Sequence, residues 1–230
     1  MAVCCNHPLI KNYRQIHYTE REKGVVKNAL SRVGNTIQNI CFEDKKVLFF
    51  LIAFFLYIDG VGTIIDNCVN IGTDLGLDTV GQVVMLVGTQ IVAFSFSMLF
   101  VRLTQKYKTV TLIKICILGY LCICLYTLTL HSLIGFAILA LAVGMFQGSI
   151  QALSRSYYTK IIPADKSGEY FGIYDIFSKG ASFLGSAVLG FVKLVGGTIN
   201  IAVASLAVFF ILGYVFMQIT EKTPGKKTSI

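Results

Sequence analysis

Six long apolar stretches constrain this chain more than any other feature of its sequence. Each is close to the roughly 20 residues that an α-helix needs to cross the hydrocarbon core of a bilayer. We place them at about 47–66, 82–102, 110–130, 133–154, 170–192 and 198–219. The sequence lacks the alternation in runs of about ten residues that is typical of a membrane β-barrel. The pattern therefore predicts an all-α membrane protein with six transmembrane helices.

The composition excludes an ordinary soluble domain. Hydrophobic residues make up 55% of the chain and charged residues only 14%, whereas a soluble globular protein carries roughly 25% charged residues. The net charge of +8 would suit a nucleic-acid partner if it were concentrated on one polar module, but the basic residues are spread between apolar runs. The expected partner is therefore the lipid bilayer, not nucleic acid.

The distribution of basic residues predicts the orientation. Seventeen of the 20 lysines and arginines precede the first stretch, follow the second or fourth, or lie in the tail, and the opposite loops carry only Lys193. Because cytoplasmic loops are enriched in lysine and arginine, both termini are predicted to be cytoplasmic. The chain then divides into a cytoplasmic segment (1–45), a six-helix membrane domain (46–220) and a cytoplasmic tail (221–230).

The cytoplasmic segment contains an amphipathic pattern. One helical face is apolar and the other is polar, with Val26, Leu30, Val33, Ile37 and Ile40 on the first and Lys23, Lys27, Ser31, Asn35 and Gln38 on the second. A helix of this kind is suited to the cytoplasmic headgroup layer, where basic residues meet anionic lipid. A regulatory contact with another protein is the alternative.

The fourth apolar stretch carries two stripes. Polar residues recur every four positions along one of them and small residues along the other, namely Gln147, Gln151 and Arg155, and Gly144, Gly148 and Ala152. Small residues let helix backbones approach closely in lipid, so the second stripe predicts a packing face. The polar stripe is expected to face a water-filled path or a polar partner. Alternatively, Arg155 reaches the cytoplasmic surface with its long side chain.

An acidic residue lies deep in the first stretch. Asp59 is about 20 Å from Lys46 at 1.5 Å per residue, and an ionisable group at such depth is a functional candidate by default. Thr63 continues its helical face, and Gly60 and Gly62 loosen the helix between them. The alternative is a structural carboxylate that is hydrogen-bonded into a kink.

Two opposite charges lie four residues apart in the fifth stretch. Asp175 and Lys179 can pair on one helical face, and either a functional or a purely structural pair is consistent with the spacing. The second stretch adds a single polar residue, Gln90. The candidates for a solute or ion path are Asp59, Thr63, Gln90, Gln147, Gln151, Arg155, Asp175 and Lys179.

Three linked motifs carry a family resemblance. They are "FLYIDGVGTI" in the first stretch, "QGSIQALSRS" in the fourth and "EYFGIYDIFSKGASFLG" in the fifth. Together they resemble the vacuole effluxer-like branch of the major facilitator superfamily, which includes autophagy-related amino-acid exporters. The resemblance covers roughly residues 20–220 and corresponds to the C-terminal six helices of a twelve-helix carrier.

The resemblance implies one half of a secondary active transporter. Two such halves rock about a site near the midplane, which gives alternating access. We therefore expect a complementary six-helix half or a parallel homodimer, export of amino acids or similar small metabolites, and proton or cation exchange at Asp59. The expected location is the cell membrane of a bacterium, or a vacuolar or other organelle membrane of a eukaryote.

Two other classes of protein compete with this interpretation. A truncated, non-transporting membrane remnant or structural subunit would have the same helices. A membrane enzyme is disfavoured because His7, His17 and His131 are scattered and no paired acids or metal-binding motif accompany them. The seven cysteines are interpreted as small hydrophobic residues, and no disulfide, metal or cofactor is assigned.

Overall fold

The computed structural model describes residues 25–74, 76–130, 132–181 and 183–224, and within these ranges it is helical without a strand. A 3-10 turn over Ala164–Lys166 accompanies the α-helices. Helices α1 to α9 cover Val25–Phe42, Lys45–Asp74, Thr79–Leu103, Thr109–Thr127, Leu133–Ile161, Ser167–Gly180, Phe183–Leu194, Ile199–Ser205 and Ala207–Lys222.

Five segments are long and apolar enough to cross a membrane. Four are single helices, α2 to α5, and the fifth joins α8 and α9 as Ile199–Lys222, with a turn at Leu206 between them. They correspond to the first four and the sixth of the predicted stretches. The all-helical, membrane-spanning character that the sequence predicts is thereby confirmed, although α2 reaches Asp74, eight residues beyond the expected end of the first span.

The fifth predicted span is not one continuous helix, so this prediction is wrong. Helix α6 ends at Gly180 after 14 residues, Ala181 is extended with φ −64° and ψ 154°, and the 12-residue α7 begins at Phe183. Glycine is a weak helix former, which favours the end of α6 at Gly180. A total of six crossings requires α6 and α7 to form one interrupted span, and it stays a prediction.

Helix α2 is the centre of the bundle. It packs against α5, α6, α7 and α9, while α4 packs against α5 and α9, and α3 contacts mainly α5. Large side chains fill the core around α2, among them the fully buried Phe50, Tyr57 and Phe210. Helix α3 turns most of its apolar side chains outward, as expected where lipid or another membrane protein replaces water.

Helix α1 packs on the bundle at its C-terminal end. Thr36 and Ile40 are buried, and Thr36 Oγ1 donates a hydrogen bond to Glu169 Oε2 of α6 at 2.6 Å. Just beyond α1, Asp44 Oδ2 accepts a hydrogen bond from the Tyr170 hydroxyl at 2.6 Å. At Ile40 the predicted apolar face therefore meets protein, which is compatible with the pattern because an amphipathic face fits protein and headgroup surfaces alike. Ile37 is 46% exposed.

Candidate functional site

A cavity of about 570 Å³ opens between α2, α5 and α6. Its polar wall comes from α5 and α6, and α2 supplies an apolar wall opposite. The lining residues are Phe54, Ile58, Val61 and Gly62 of α2, Gly148, Gln151, Ala152 and Arg155 of α5, and Tyr174 and Ser178 of α6. Of the predicted path residues, Gln151 and Arg155 therefore reach this cavity.

Arg155 connects α5 to α6 at the edge of the cavity. Its Nη2 atom lies 3.2 Å from Asp175 Oδ1. The guanidinium carbon is 5.8 Å from the ring centroid of Phe171 and 5.9 Å from that of Tyr174, within the range of cation–π attraction. The Arg155 and Asp175 side chains are 61% and 51% exposed, so the pair contributes under about 1 kcal/mol to stability.

The predicted pairing of Asp175 with Lys179 is wrong for this conformation. In the part of the chain that the structure describes, the ion pair of Asp175 is made with Arg155 on the neighbouring helix. Lys179 is exposed and lies outside the set of residues that line the cavity. A pair at i and i+4 is worth only a few tenths of a kcal/mol, so a cross-helix cation supported by two aromatic rings can displace it.

Gln147 belongs to a different pocket from Gln151. A second, small pocket of about 40 Å³ lies between α2, α3 and α5 and is lined by Gln82, Gln90 and Gln147 among apolar neighbours. A helix of 3.6 residues per turn rotates a residue by about 40° over four positions. This rotation places Gln147 on the side of α5 that faces α3 and Gln151 on the side that faces α6.

The glycines of the small-residue stripe lie against α3. A methyl group on Gly144 would come within 2.7 Å of the Thr89 carbonyl oxygen, and one on Gly148 within 3.3 Å of the Ala93 carbonyl oxygen. Ala152 differs from them, since it is exposed and lines the large cavity. The backbones of α3 and α5 can therefore approach closely at Gly144 and Gly148.

Asp59 and Thr63 lie beneath α7, away from the wall of the large cavity. Both are completely buried. A methyl group on Gly185 would lie 2.1 Å from Thr63 Oγ1, 2.9 Å from Thr63 Cβ and 3.2 Å from Asp59 Oδ2. The backbone of α7 thus covers this acid and this hydroxyl. Sequence reasoning missed Gly185, although the three successive small residues Gly185, Ser186 and Ala187 were a signal for close packing.

Aromatic residues hold the α2, α5 and α6 walls together. The rings of Phe54 and Tyr174 are stacked with centroids 4.2 Å apart. The hydroxyls of Tyr57 and Ser154 are hydrogen-bonded at 2.6 Å, and the Tyr158 hydroxyl donates to the Tyr170 carbonyl oxygen at 2.9 Å. Sequence reasoning missed these contacts because buried tyrosines and phenylalanines have no periodic signal that separates a cavity wall from ordinary core.

The chain is similar to one described family and to several proteins within it. Residues 3–229 match the family described as "Vacuole effluxer Atg22 like". Over 217 residues the chain is 37% identical to the "Uncharacterized MFS-type transporter YxiO" of Bacillus subtilis (strain 168), which covers 94% of this chain and 50% of that protein. No solved structure matches it.

Fungal relatives are more distant. The chain is 26% identical over 207 residues to "Autophagy-related protein 22" of Coccidioides immitis (strain RS), covering 80% of this chain and 33% of that protein. It is 28% identical over 160 residues to "Autophagy-related protein 22" of Pichia angusta, covering 64% and 29%. The chain thus spans half the length of the bacterial relative and about a third of the fungal ones.

Proposed function

We propose, from the premise that this chain belongs to the Atg22-like vacuole effluxer family, that it acts as one half of a secondary active membrane transporter. The observation that carries the proposal is the cavity between α2, α5 and α6. Its volume of about 570 Å³ falls in the range of roughly 300–1,000 Å³ that is usual for small-molecule sites. In a membrane bundle, exposed polar residues such as Gln151 and Arg155 require a solute path or a polar partner.

The solute class that fits this wall is amino acids or similar small metabolites. Gln151 and Ser178 offer neutral donors and acceptors, and Arg155 and Asp175 offer the two opposite charges that a carboxylate and an ammonium group would meet. A solute that binds both would compete with the Arg155–Asp175 pair and loosen the contact between α5 and α6. Export is supported by the family description, which names effluxers.

Transport by alternating access requires a second wall. The relatives are two to three times as long as this chain, and a six-helix half would leave its exposed polar side chains in lipid, which is unfavourable. We therefore propose a complementary six-helix half, or less readily a parallel homodimer, as the partner. In this assembly Gln90 and Gln147 would line a side pocket, Asp59 would exchange a proton or cation, and Lys179 would face the partner.

A transport assay tests the proposal. The chain is reconstituted into vesicles alone and together with the product of a neighbouring reading frame that encodes a complementary half, and efflux of a mixture of labelled amino acids is measured. Gln151→Leu is expected to lower the rate at least about tenfold, because one lost hydrogen bond to a buried polar group costs about 1–3 kcal/mol. Gln218→Leu on α9 is the matched control and should keep the rate.

Several results of these experiments would contradict the proposal. If neither assembly moves any amino acid, or if Gln151→Leu and Gln218→Leu behave alike, the cavity is not a solute path. Crosslinking in native membranes that gives only monomer together with full transport would refute the requirement for a second half. A chain that associates with its partner but supports no transport would instead be a structural subunit.

A further inference from the structure

A buried acid and a buried hydroxyl lie one helical turn apart where the fifth crossing is interrupted. Asp59 and Thr63 of α2 are both completely buried, and the α7 backbone at Gly185 lies against them. Because Gly185 has no side chain, Thr63 Oγ1 can lie directly against the α7 backbone, 2.1 Å from the position that a methyl group would take, with Asp59 Oδ2 3.2 Å from that position. The Asp59 carboxylate, the Thr63 hydroxyl and the α7 backbone at Gly185 thus lie next to one another.

The Thr63 hydroxyl points to a ligand. Its Oγ1 atom is fully buried and has no hydrogen-bond partner within the residues that the structure describes. Buried hydroxyls are almost always hydrogen-bonded, because a polar atom that leaves water without a new partner is destabilised. Most other buried threonines follow this rule, as Thr127 and Thr220 each donate to a carbonyl oxygen of their own helix. An oxygen with free lone pairs beside a carboxylate suits a cation.

The end of α6 lies one helical turn from Asp59 along α2, because a methyl group on Gly180 would be 3.9 Å from Phe55 Cε2. Helix α6 ends at Gly180, and α7 begins at Phe183, two residues before Gly185. The last turn of a helix leaves carbonyl oxygens without an intrahelical partner. In transporters with interrupted helices, such carbonyl ends coordinate coupling cations near the midplane.

We propose that Asp59, Thr63 and the last carbonyl groups of α6 form a binding site for a small monovalent cation of the Na+ or Li+ type. Carboxylate, hydroxyl and carbonyl oxygens are the ligands that hard cations prefer. A single carboxylate supplies one negative charge, and the described residues contain no cluster of three or more histidine, cysteine or acidic residues. Both features disfavour a divalent or transition metal.

This inference rests on the proposed function, because it specifies the ion that Asp59 exchanges. A proton would need the carboxyl group alone, whereas a cation also uses the Thr63 oxygen and the close approach at Gly185. The cation would join α2 to the α6–α7 crossing, and α6 supplies Tyr174 and Ser178 to the cavity wall. Occupancy of the site would therefore fix the position of one wall of the solute cavity.

Direct ion binding by the purified 230-residue chain tests the site without any transport. Equilibrium binding of radioactive sodium is measured, and the unfolding temperature is compared in NaCl, LiCl, KCl and choline chloride at equal ionic strength. We expect saturable binding and a higher unfolding temperature in Na+ or Li+ than in choline. Thr63→Val should weaken binding by about 10-fold or more, Thr63→Ser should retain most of it, and Asp59→Asn should abolish it.

The matched control is Thr220→Val, which changes an equally buried threonine that already has a hydrogen-bond partner and should leave ion binding unchanged. If Asp59→Asn does not fold, the contrast between Thr63→Val and Thr63→Ser decides. The site is refuted if the unaltered chain binds none of these cations, or if Thr63→Val binds as tightly as the unaltered chain. Failed transport with intact sodium binding would refute the proposed function instead, and transport driven by protons without cation binding would refute only this site.

Discussion

The fourth and fifth apolar stretches look alike in the sequence but fold differently. Both carry glycines and polar residues, yet α5 runs unbroken from Leu133 to Ile161, whereas in the fifth stretch one helix ends at Gly180 and another begins at Phe183. In α5, Gly144 and Gly148 lie against the neighbouring α3 while the helix continues through them. In the fifth stretch, α6 ends at Gly180 and α7 begins just before the close approach at Gly185. A glycine in a membrane helix thus either admits a neighbour or marks an interruption, depending on what lies beside it.

The largest effect on stability is expected at Gly144. Gly144→Ala places a methyl group 2.7 Å from the backbone oxygen of Thr89, and a backbone atom cannot rotate away. We expect a loss of about 2–3 kcal/mol, at the upper end of the usual range for overpacking, measured by thermal unfolding in detergent. Gly88→Ala on α3, where a methyl group meets open space, should instead raise stability by about 0.5–1 kcal/mol. Equal effects at the two glycines would show that α3 and α5 are not in close contact.

A smaller loss is expected at Gly185. Gly185→Ala crowds Thr63 Oγ1 and Asp59 Oδ2, which can move by side-chain rotation, and leaves a 2.9 Å contact with Thr63 Cβ, which cannot. Because this fixed contact is longer than the 2.7 Å contact at Gly144, we expect about 1–2 kcal/mol from overpacking. The matched control is Gly190→Ala in the same helix, which has open space around it and should be neutral or stabilising. If Gly185→Ala is as well tolerated as Gly190→Ala in the same unfolding assay, α7 does not cover Asp59.

The smallest effect is expected for the ion pair between Arg155 of α5 and Asp175 of α6. In a double-mutant cycle of Arg155→Met and Asp175→Asn, the coupling energy from chemical unfolding should be about 0.2–1 kcal/mol, as for exposed ion pairs, and should shrink in high salt. The same cycle between Asp175→Asn and Lys179→Met should be additive within about 0.5 kcal/mol. A larger coupling of Asp175 to Lys179 than to Arg155 would restore the pairing that the sequence alone suggested.

Helix content and membrane character could be predicted from the sequence because both depend on local properties. A run of about 20 apolar residues has few alternatives to a membrane helix, so α3 and α4 begin and end within three residues of the expected spans, whereas α5 begins at the expected residue and runs seven residues beyond the expected end. The close contacts of Gly144 and Gly148 follow from the same reasoning, since small residues at helical spacing admit a neighbour.

The arrangement of the site could not be predicted in this way. Whether a helix continues through Gly180 depends on which neighbours satisfy its backbone, and these come from distant parts of the chain. The partner of Asp175 depends on how α5 and α6 cross, which no single segment determines. The separation of Gln147 from Gln151 likewise depends on where α3 and α6 pack around α5.

The two hydrogen bonds at the start of α6 connect α1 mechanically to the helix that supplies Tyr174 and Ser178 to the cavity wall. Glu169 and Tyr170, successive residues of α6, bind Thr36 of α1 and Asp44 just before α2. Because both bonds lie in the first turn of α6, a change in the tilt of α6 would also move α1. A spectroscopic probe on α1 would then report the position of the α6 wall from a site outside the cavity.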